Sequence, residues 1–214
     1  MVALVFAGGE PIDGDVAARL PDTEVTVFAA DSGVERALAL GRVVDLVVGD
    51  LDSADPAAVE RAVAGGAEVR HYPAAKDKTD LELALDAARD AGVRRVIVVG
   101  GSGGRLDHFL ANALLLASPS FADLDVEALV GSARITVIHR DARLSGTPGD
   151  LVSLLAAGGP ARGVRTGGLR FPLDGEDLLP GSTRGVSNEL IEPVAAVSLE
   201  HGVLLAVQPD IGGS

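Results

Sequence analysis

The chain has 214 residues, enough for one large domain or two small ones with a real buried core. Its composition, 47% hydrophobic and 23% charged, excludes a disordered chain, and no apolar run approaches the roughly 20 residues that a helix needs to cross a bilayer. A net charge of −13 argues against nucleic acid as a partner; with no cysteine there is no disulfide framework and no thiolate metal site, and the compartment is most simply the cytoplasm.

In chain order, Val2–Ala7 has no basic leader and reads as a first strand rather than a signal peptide. Val25–Ala29, Leu46–Val48, Val69–Tyr72 and Val93–Val99 read as further strands. Between and after them, helical patterns are expected at Val34–Leu40, Pro56–Ala64, Asp80–Ala91 and Leu106–Ala117. Strand and helix alternating in this way predict parallel pairing, hence an α/β domain with a mainly parallel sheet over residues 1–132. From about Ala133 the helical period vanishes. Ile135–His139, Leu151–Ala156, Val194–Glu200 and Val203–Val207 are short β runs separated by Gly and Pro turns, which predicts a small all-β sandwich or barrel over residues 133–214.

In open α/β sheets, ligands bind at the carboxyl ends of the strands. Four polar clusters fall at such ends. The first is Ala30-Asp31-Ser32-Gly33; Ser32 with Glu35 also fits a helix capping box. The second is Gly49-Asp50-Leu51-Asp52-Ser53. Two carboxylates two residues apart at the end of a buried strand are costly unless paired, and the usual partner is a divalent cation serving a phosphate. Acidic turns after strands are nevertheless common. The third is Lys76-Asp77-Lys78-Thr79-Asp80, where Thr79 and Glu82 form a second candidate capping box and Leu81, Ala84, Leu85 and Ala88 a buried stripe. Two lysines beside a helix N-terminus suit a phosphate, although a solvated loop and a dipole-matched Asp80 explain the same residues.

The fourth cluster runs from Gly100 through Gly101-Ser102-Gly103-Gly104-Arg105-Leu106-Asp107-His108. Its glycines would let backbone N–H groups approach a phosphate at a helix N-terminus. It is neither a P-loop nor a dinucleotide fingerprint, because the required Lys-Ser/Thr and third glycine are missing. Leu106, Phe109, Leu110, Ala113 and Leu114 supply the expected core stripe of the helix that follows, with Asp107 off the stripe.

These four clusters, in this order, resemble the motifs of the thiamine pyrophosphokinase family. Thr166-Gly167-Gly168-Leu169-Arg170-Phe171-Pro172-Leu173 and Gly185-Val186-Ser187-Asn188-Glu189 resemble that family's thiamine-binding β domain. The resemblance spans about Ala29 to Glu189. It implies transfer of pyrophosphate from ATP to the thiamine hydroxyl, releasing AMP, by a homodimer with its sites at the subunit interface. On that basis Asp50, Asp52 and Asp80 would hold Mg²⁺, with Asp31 close by. Arg105 and one of Lys76 or Lys78 would neutralise developing charge. Asp31, Lys76, Lys78, Thr79, Gly101, Gly104, Arg105 and Asp107 would bind ATP. Asp80, Asp107, Ser187 and Asn188 would bind thiamine, with Asp80 or Asp107 available to take the hydroxyl proton late.

Three positions depart from the family pattern: Ser32 where a glycine is frequent, Glu35 where Asn is, and Val44 where Pro is. None removes a carboxylate or Arg105. Aromatic content is only 3%, so Phe171 and Tyr72 are the few candidates for stacking on the acceptor. Two other readings fit the same chemistry or fold: a pyrophosphokinase for another hydroxymethyl heterocycle such as a pterin, or a non-catalytic nucleotide-sensing protein. The acidic chain favours the cationic acceptor, thiamine, over a neutral pterin.

Overall fold

The computed structural model describes residues 1–10, 17–103 and 105–210. These form two compact units, one of Met1–Leu115 with Asp123–Gly131, the other of Leu116–Ala122 with Ser132–Ser214.

The first unit is built on a parallel sheet. Its strands are β1 (Val2–Phe6), β2 (Val25–Ala30), β3 (Leu46–Gly49), β4 (Glu68–His71), β5 (Arg95–Val99) and β6 (Asp125–Val130). Their order in space is β6-β5-β1-β2-β3-β4, and every pairing is parallel. Parallel strands covered on both faces should read as unbroken apolar runs, and Ala3, Leu4, Val5 and Phe6 of central β1 are fully buried. The outermost strand, β4, is instead polar and carries the exposed Arg70–Glu68 ion pair at 2.8 Å, which discourages edge-to-edge pairing.

Helices α1 (Gly33–Ala39), α2 (Pro56–Ala64), α3 (Asp80–Asp90) and α4 (Leu106–Leu116) match the expected segments within a residue or so at each end. In α3 the predicted stripe is buried, together with Leu83 and Ala87. In α4 it is not: Leu106, Leu110 and Leu114 are 69%, 52% and 62% exposed, and Leu116 is the buried residue of that helix. The apolar row one turn apart therefore faces away from the core of its own unit. None of the helices in the described residues is long and apolar enough to cross a membrane.

Chain order turns at β1: β2, β3 and β4 follow on one side, then β5 and β6 on the other. Adjacent strands leaving in opposite directions open a crevice at their carboxyl ends, and this is where the glycine-rich turns after β1 and β5 meet. Gly101 N donates to Gly8 O at 2.8 Å, Glu10 N donates to Ser102 O at 2.7 Å, and a Cβ on Gly100 would lie 2.7 Å from Ala7 O.

The second unit is a sandwich of two antiparallel sheets. Strands β7 (Ala133–Ile138), β9 (Leu151–Ala156), β12 (Asn188–Glu189) and β14 (Leu204–Gln208) form one, in the order β12-β9-β14-β7. Strands β8 (Asp141–Ser145), β10 (Ala161–Gly167), β11 (Asp174–Leu178) and β13 (Val194–Ser198) form the other, in the order β11-β10-β13-β8. Leu144, Val164, Val197, Leu154 and Leu204 meet between them in one core.

Candidate active site

The carboxyl ends of β1, β2, β3 and β5 and the N-terminal ends of α3 and α4 surround a cleft of about 590 Å³, a volume suited to a small-molecule ligand. Asp31, Asp50, Asp52, Lys76, Lys78, Thr79 and Asp80 line it, and so do Gly101 and Arg105. Gly104 lies outside the described residues. Asp107 is exposed and does not line the cleft, while Ser187 and Asn188 belong to the sandwich.

Backbone geometry at the strand ends brings the carboxylates together. Asp31 follows β2 and Leu51 sits between the two acids after β3; both are non-glycine residues in the left-handed region, with φ of 47° and 61°. Each such residue costs on the order of 1–3 kcal/mol, a strain typically retained at functional sites. One oxygen each from Asp31, Asp50 and Asp52 lie within 4.8 Å of one another. Gly49, with φ of 146°, admits the fourth acid: a Cβ there would stand 3.1 Å from Asp80 Oδ1 and 3.3 Å from Asp31 Cβ.

Lys76 is the cation in this cluster. Its Nζ lies 2.9 Å from Asp80 Oδ1 and 3.4 Å from Asp50 Oδ2, with only 13% of its side chain exposed. Asp80 Oδ1 is buried without an aligned hydrogen bond, so this ion pair rests on charge and proximity. Burial works against the Lys76 ammonium, but Asp80 and Asp50 outweigh it and hold its pKa above the ordinary lysine value. For Asp50, burial pushes upward and the Lys76 ammonium, outweighing it, holds the carboxyl below its usual range. Lys78 turns away from the cluster, pairing with Asp86 at 2.5 Å and Glu82 at 3.4 Å along α3.

Asp31 is the stressed member. Burial pushes its carboxyl up, a hydrogen bond from the Ser32 backbone opposes this, and the charges of Asp80, Asp52 and Asp50 push it up further. Its Oδ1 is buried without a hydrogen-bond partner. A set of hard oxygen donors around an unsatisfied buried carboxylate oxygen fits a divalent cation of the Mg²⁺ type. Asp31→Asn should therefore raise the melting temperature of the metal-free protein at neutral pH, because it removes a repelled, desolvated charge. The native state holds the Asp31 proton more tightly than the unfolded chain does. Its contribution thus becomes less favourable as pH rises from the ordinary aspartate value through the raised one, and the difference between variant and parent should close in acid. Asparagine also accepts the left-handed backbone. Thermal unfolding in chelator across about pH 4–8 checks this; a variant that melts below the parent at neutral pH contradicts it.

The caps differ from expectation in one case. Thr79 Oγ1 accepts from Glu82 N at 3.2 Å and caps α3. Ser32 makes no side-chain cap; its hydroxyl packs against Gly8, and Glu35 instead accepts from Asp55 N at 2.5 Å. The glycine turn after β5 also works differently from a phosphate cradle at two positions, because Gly100 N and Gly101 N donate to Leu129 O and Gly8 O. Past that turn, Arg105 pairs with Asp107 at 2.6 Å, 70% exposed at the cleft mouth, and this guanidinium draws the Asp107 carboxyl down to about 2.

Sequence reading did not single out Ala7-Gly8-Gly9, which lines the cleft between Asp31 and Gly101. The signal was a glycine pair at the carboxyl end of the first strand. In the sandwich, Ser187 has φ of 55° and Asn188 is buried, with its side-chain amide bonded to the backbone of Phe171.

A parallel α/β unit with an acidic cleft at its strand ends, followed by an antiparallel sandwich, defines a two-part protein whose halves can be compared separately. The family description "Thiamin pyrophosphokinase, catalytic domain" matches residues 17–128, and "Thiamin pyrophosphokinase, vitamin B1 binding domain" matches residues 135–204. The chain belongs to the thiamine pyrophosphokinase family. It is 26% identical over 194 residues to thiamine pyrophosphokinase of Bacillus subtilis, covering 87% of this chain and 88% of that one. The crystal structure of the Bacillus subtilis thiamine pyrophosphokinase matches with a TM-score of 0.85 at 25% identity over 98% of this chain and 99% of that one. That of the Geobacillus thermodenitrificans thiamin pyrophosphokinase gives 0.81 at 28% identity over 100% and 99%.

Proposed function

We propose that this chain is a thiamine pyrophosphokinase, converting ATP and thiamine into AMP and thiamine diphosphate. The observation that carries the proposal is the convergence of Asp31, Asp50 and Asp52 within 4.8 Å, beside the Lys76–Asp80 pair, in a chain whose two halves match the catalytic and vitamin-binding families. Residues 1–132 bind ATP and residues 133–214 bind thiamine.

Asp50, Asp52 and Asp31 would hold Mg²⁺, and Asp80, freed from Lys76, would join them. The cation supplies charge neutralisation on the polyphosphate. Lys76 and Arg105 neutralise charge on the transferred group and on the leaving AMP. Thr79, Gly101 and Gly103 shape the nucleotide side of the cleft. A bond forms between the thiamine hydroxyl oxygen and the β-phosphorus, while the bond from that phosphorus to the α,β-bridging oxygen breaks and its electron pair leaves with AMP. A loose transition state needs no strong base. The hydroxyl proton passes late to Asp80, to Asp107 once Arg105 has exchanged that carboxylate for phosphate, or to water. A cysteine-free composition suits the reducing cytoplasm.

An assay of AMP release tests the proposal, with thiamine and a hydroxymethylpterin as acceptors and an acceptor-free control. Thiamine-dependent AMP is the expected result. Pterin-dependent AMP, or none with either acceptor, overturns the thiamine assignment.

The active unit is a homodimer with shared sites. The outward row Leu106, Leu110 and Leu114 on α4 supports it, since an exposed apolar row is a natural subunit contact. Mixing Asp52→Asn with a Phe171→Ala variant, under conditions of subunit exchange and at thiamine well below the KM of the latter, should restore activity. A mixed dimer then carries both defects in one site and neither in the other, giving about half of parental activity per heterodimer. Proven exchange without recovery would place each site within one chain.

A further inference from the structure

Resting on the pyrophosphokinase reading, we propose that Asn188 is a positioning residue for the acceptor: it fixes the backbone of Phe171 so that the exposed phenyl ring forms a rigid face for one of the two aromatic rings of thiamine, and it does not itself touch the substrate. Asn188 is one of the few buried polar residues among those described, at 3% exposure. Its Oδ1 accepts from Phe171 N at 3.0 Å and from Glu189 N at 2.9 Å, and its Nδ2 donates to Phe171 O at 2.7 Å. A side-chain amide has the same donor and acceptor groups as a peptide unit, so it holds Phe171 as a neighbouring strand would. Three of the four hydrogen bonds open to the amide are thereby used inside the protein, and its burial leaves little room for a ligand on the fourth.

The chain around Phe171 is tied down on both sides. Arg170 N donates to Glu189 O at 2.9 Å and Ile191 N to Gly168 O at 3.0 Å. Beyond it, Leu173 N donates to Thr166 Oγ1 at 2.9 Å. Phe171 stands at the tip of this segment, and Asn188 holds both of its backbone polar groups. The ring does not join the core. Phe6, Phe28 and Phe121 are buried, whereas Phe171 is 53% exposed. The Arg170 guanidinium lies 5.8 Å from the ring centroid and is itself held by Glu189 at 2.8 Å, so the ring is braced by a neutralised cation. An aromatic surface that is exposed and yet backbone-clamped loses little freedom when a second ring stacks on it, and this lowers the cost of binding.

The chain contains no Trp, so Phe171→Trp introduces a single indole that reports on this position. In that background, Asn188→Ala should lower the fluorescence anisotropy of the ligand-free protein and raise the thiamine concentration for half-maximal quenching about tenfold. In the Phe171 background, Asn188→Ala should raise KM for thiamine by a similar factor while kcat and KM for ATP stay within about twofold, because uniform binding is what is lost. Asn188→Asp keeps both acceptor contacts and, when protonated, can donate to Phe171 O, so it should recover part of the anisotropy and of KM in mild acid; it also carries the same readouts should Asn188→Ala fail to fold. A raised thiamine KM with unchanged anisotropy would show that Asn188 meets the substrate directly. Reduced anisotropy with unchanged KM would reduce its role to loop anchoring. Either result overturns the proposal. The ligand-free anisotropy is read without turnover, which separates failure of the positioning role from failure of the thiamine assignment.

Discussion

Replacing Asp52 by asparagine should lower the rate of pyrophosphoryl transfer by about a hundredfold to a thousandfold while leaving the fold intact. Asp31, Asp50 and Asp52 each direct an oxygen to one place, but they are not equivalent. Asp50 is already bound by Lys76, and Asp31 is half-buried in a left-handed turn. Asp52 is exposed, on a loop, and bonded to the neighbouring Ser53 hydroxyl at 3.0 Å. Substitution there removes one negative charge and one hard ligand without opening a cavity. Asparagine keeps the shape and one oxygen, so the loss reads as charge and metal affinity. Circular dichroism and thermal unfolding should match the parent, Mn²⁺ titration should weaken, and excess chelator should abolish turnover in both proteins. A variant with near-parental turnover would remove Asp52 from the metal set.

Arg105→Ala should lower kcat by about a hundredfold and change KM for ATP by less than about threefold. The guanidinium sits at the cleft mouth beyond the glycine turn after β5, held by both Asp107 oxygens, through Nε at 3.2 Å and Nη2 at 2.6 Å. A fork held ready by one carboxylate can exchange it for phosphate oxygens at little cost in conformational freedom. Its value is greatest where negative charge moves from the transferred group to the leaving AMP, which is why kcat should respond more than KM. Arg105→Lys keeps the charge but loses the planar fork, so it should recover only part of the rate. A raised KM with unchanged kcat would confine Arg105 to ground-state binding.

Five of the six strands of the first unit were legible, most of them because buried parallel strands are continuous apolar runs: Ala3–Phe6 and Val96–Val99 announce themselves, whereas β6, Asp125–Val130, was not read. The acidic cluster was legible for a related reason, since Asp31, Asp50 and Asp52 interrupt the chain where such runs stop. Other features depend on distant partners. Lys78 looks like Lys76 in sequence, but Asp86, two turns along α3, draws it away. The Leu106, Leu110 and Leu114 row has the period of a core stripe, and periodicity cannot say whether the apolar face meets its own chain. In the sandwich, β10 and β11 are rich in charge and glycine, and their pairing shifts register between Ala161, Val164 and Arg165, which blurs the alternation that marks a strand. Asn188 stands in a motif that suggests a ligand, whereas its partners, Phe171 N and Phe171 O, lie seventeen residues away.

The transfer of two phosphoryl groups together, with attack at the β-phosphorus, is the centre of this account, and the fate of a labelled phosphate tests it directly. With ATP carrying label at the β-phosphate and thiamine as acceptor, all transferred label should appear in thiamine diphosphate and none in the nucleotide product, which is AMP. Label retained in ADP, with thiamine monophosphate as the other product, would contradict it.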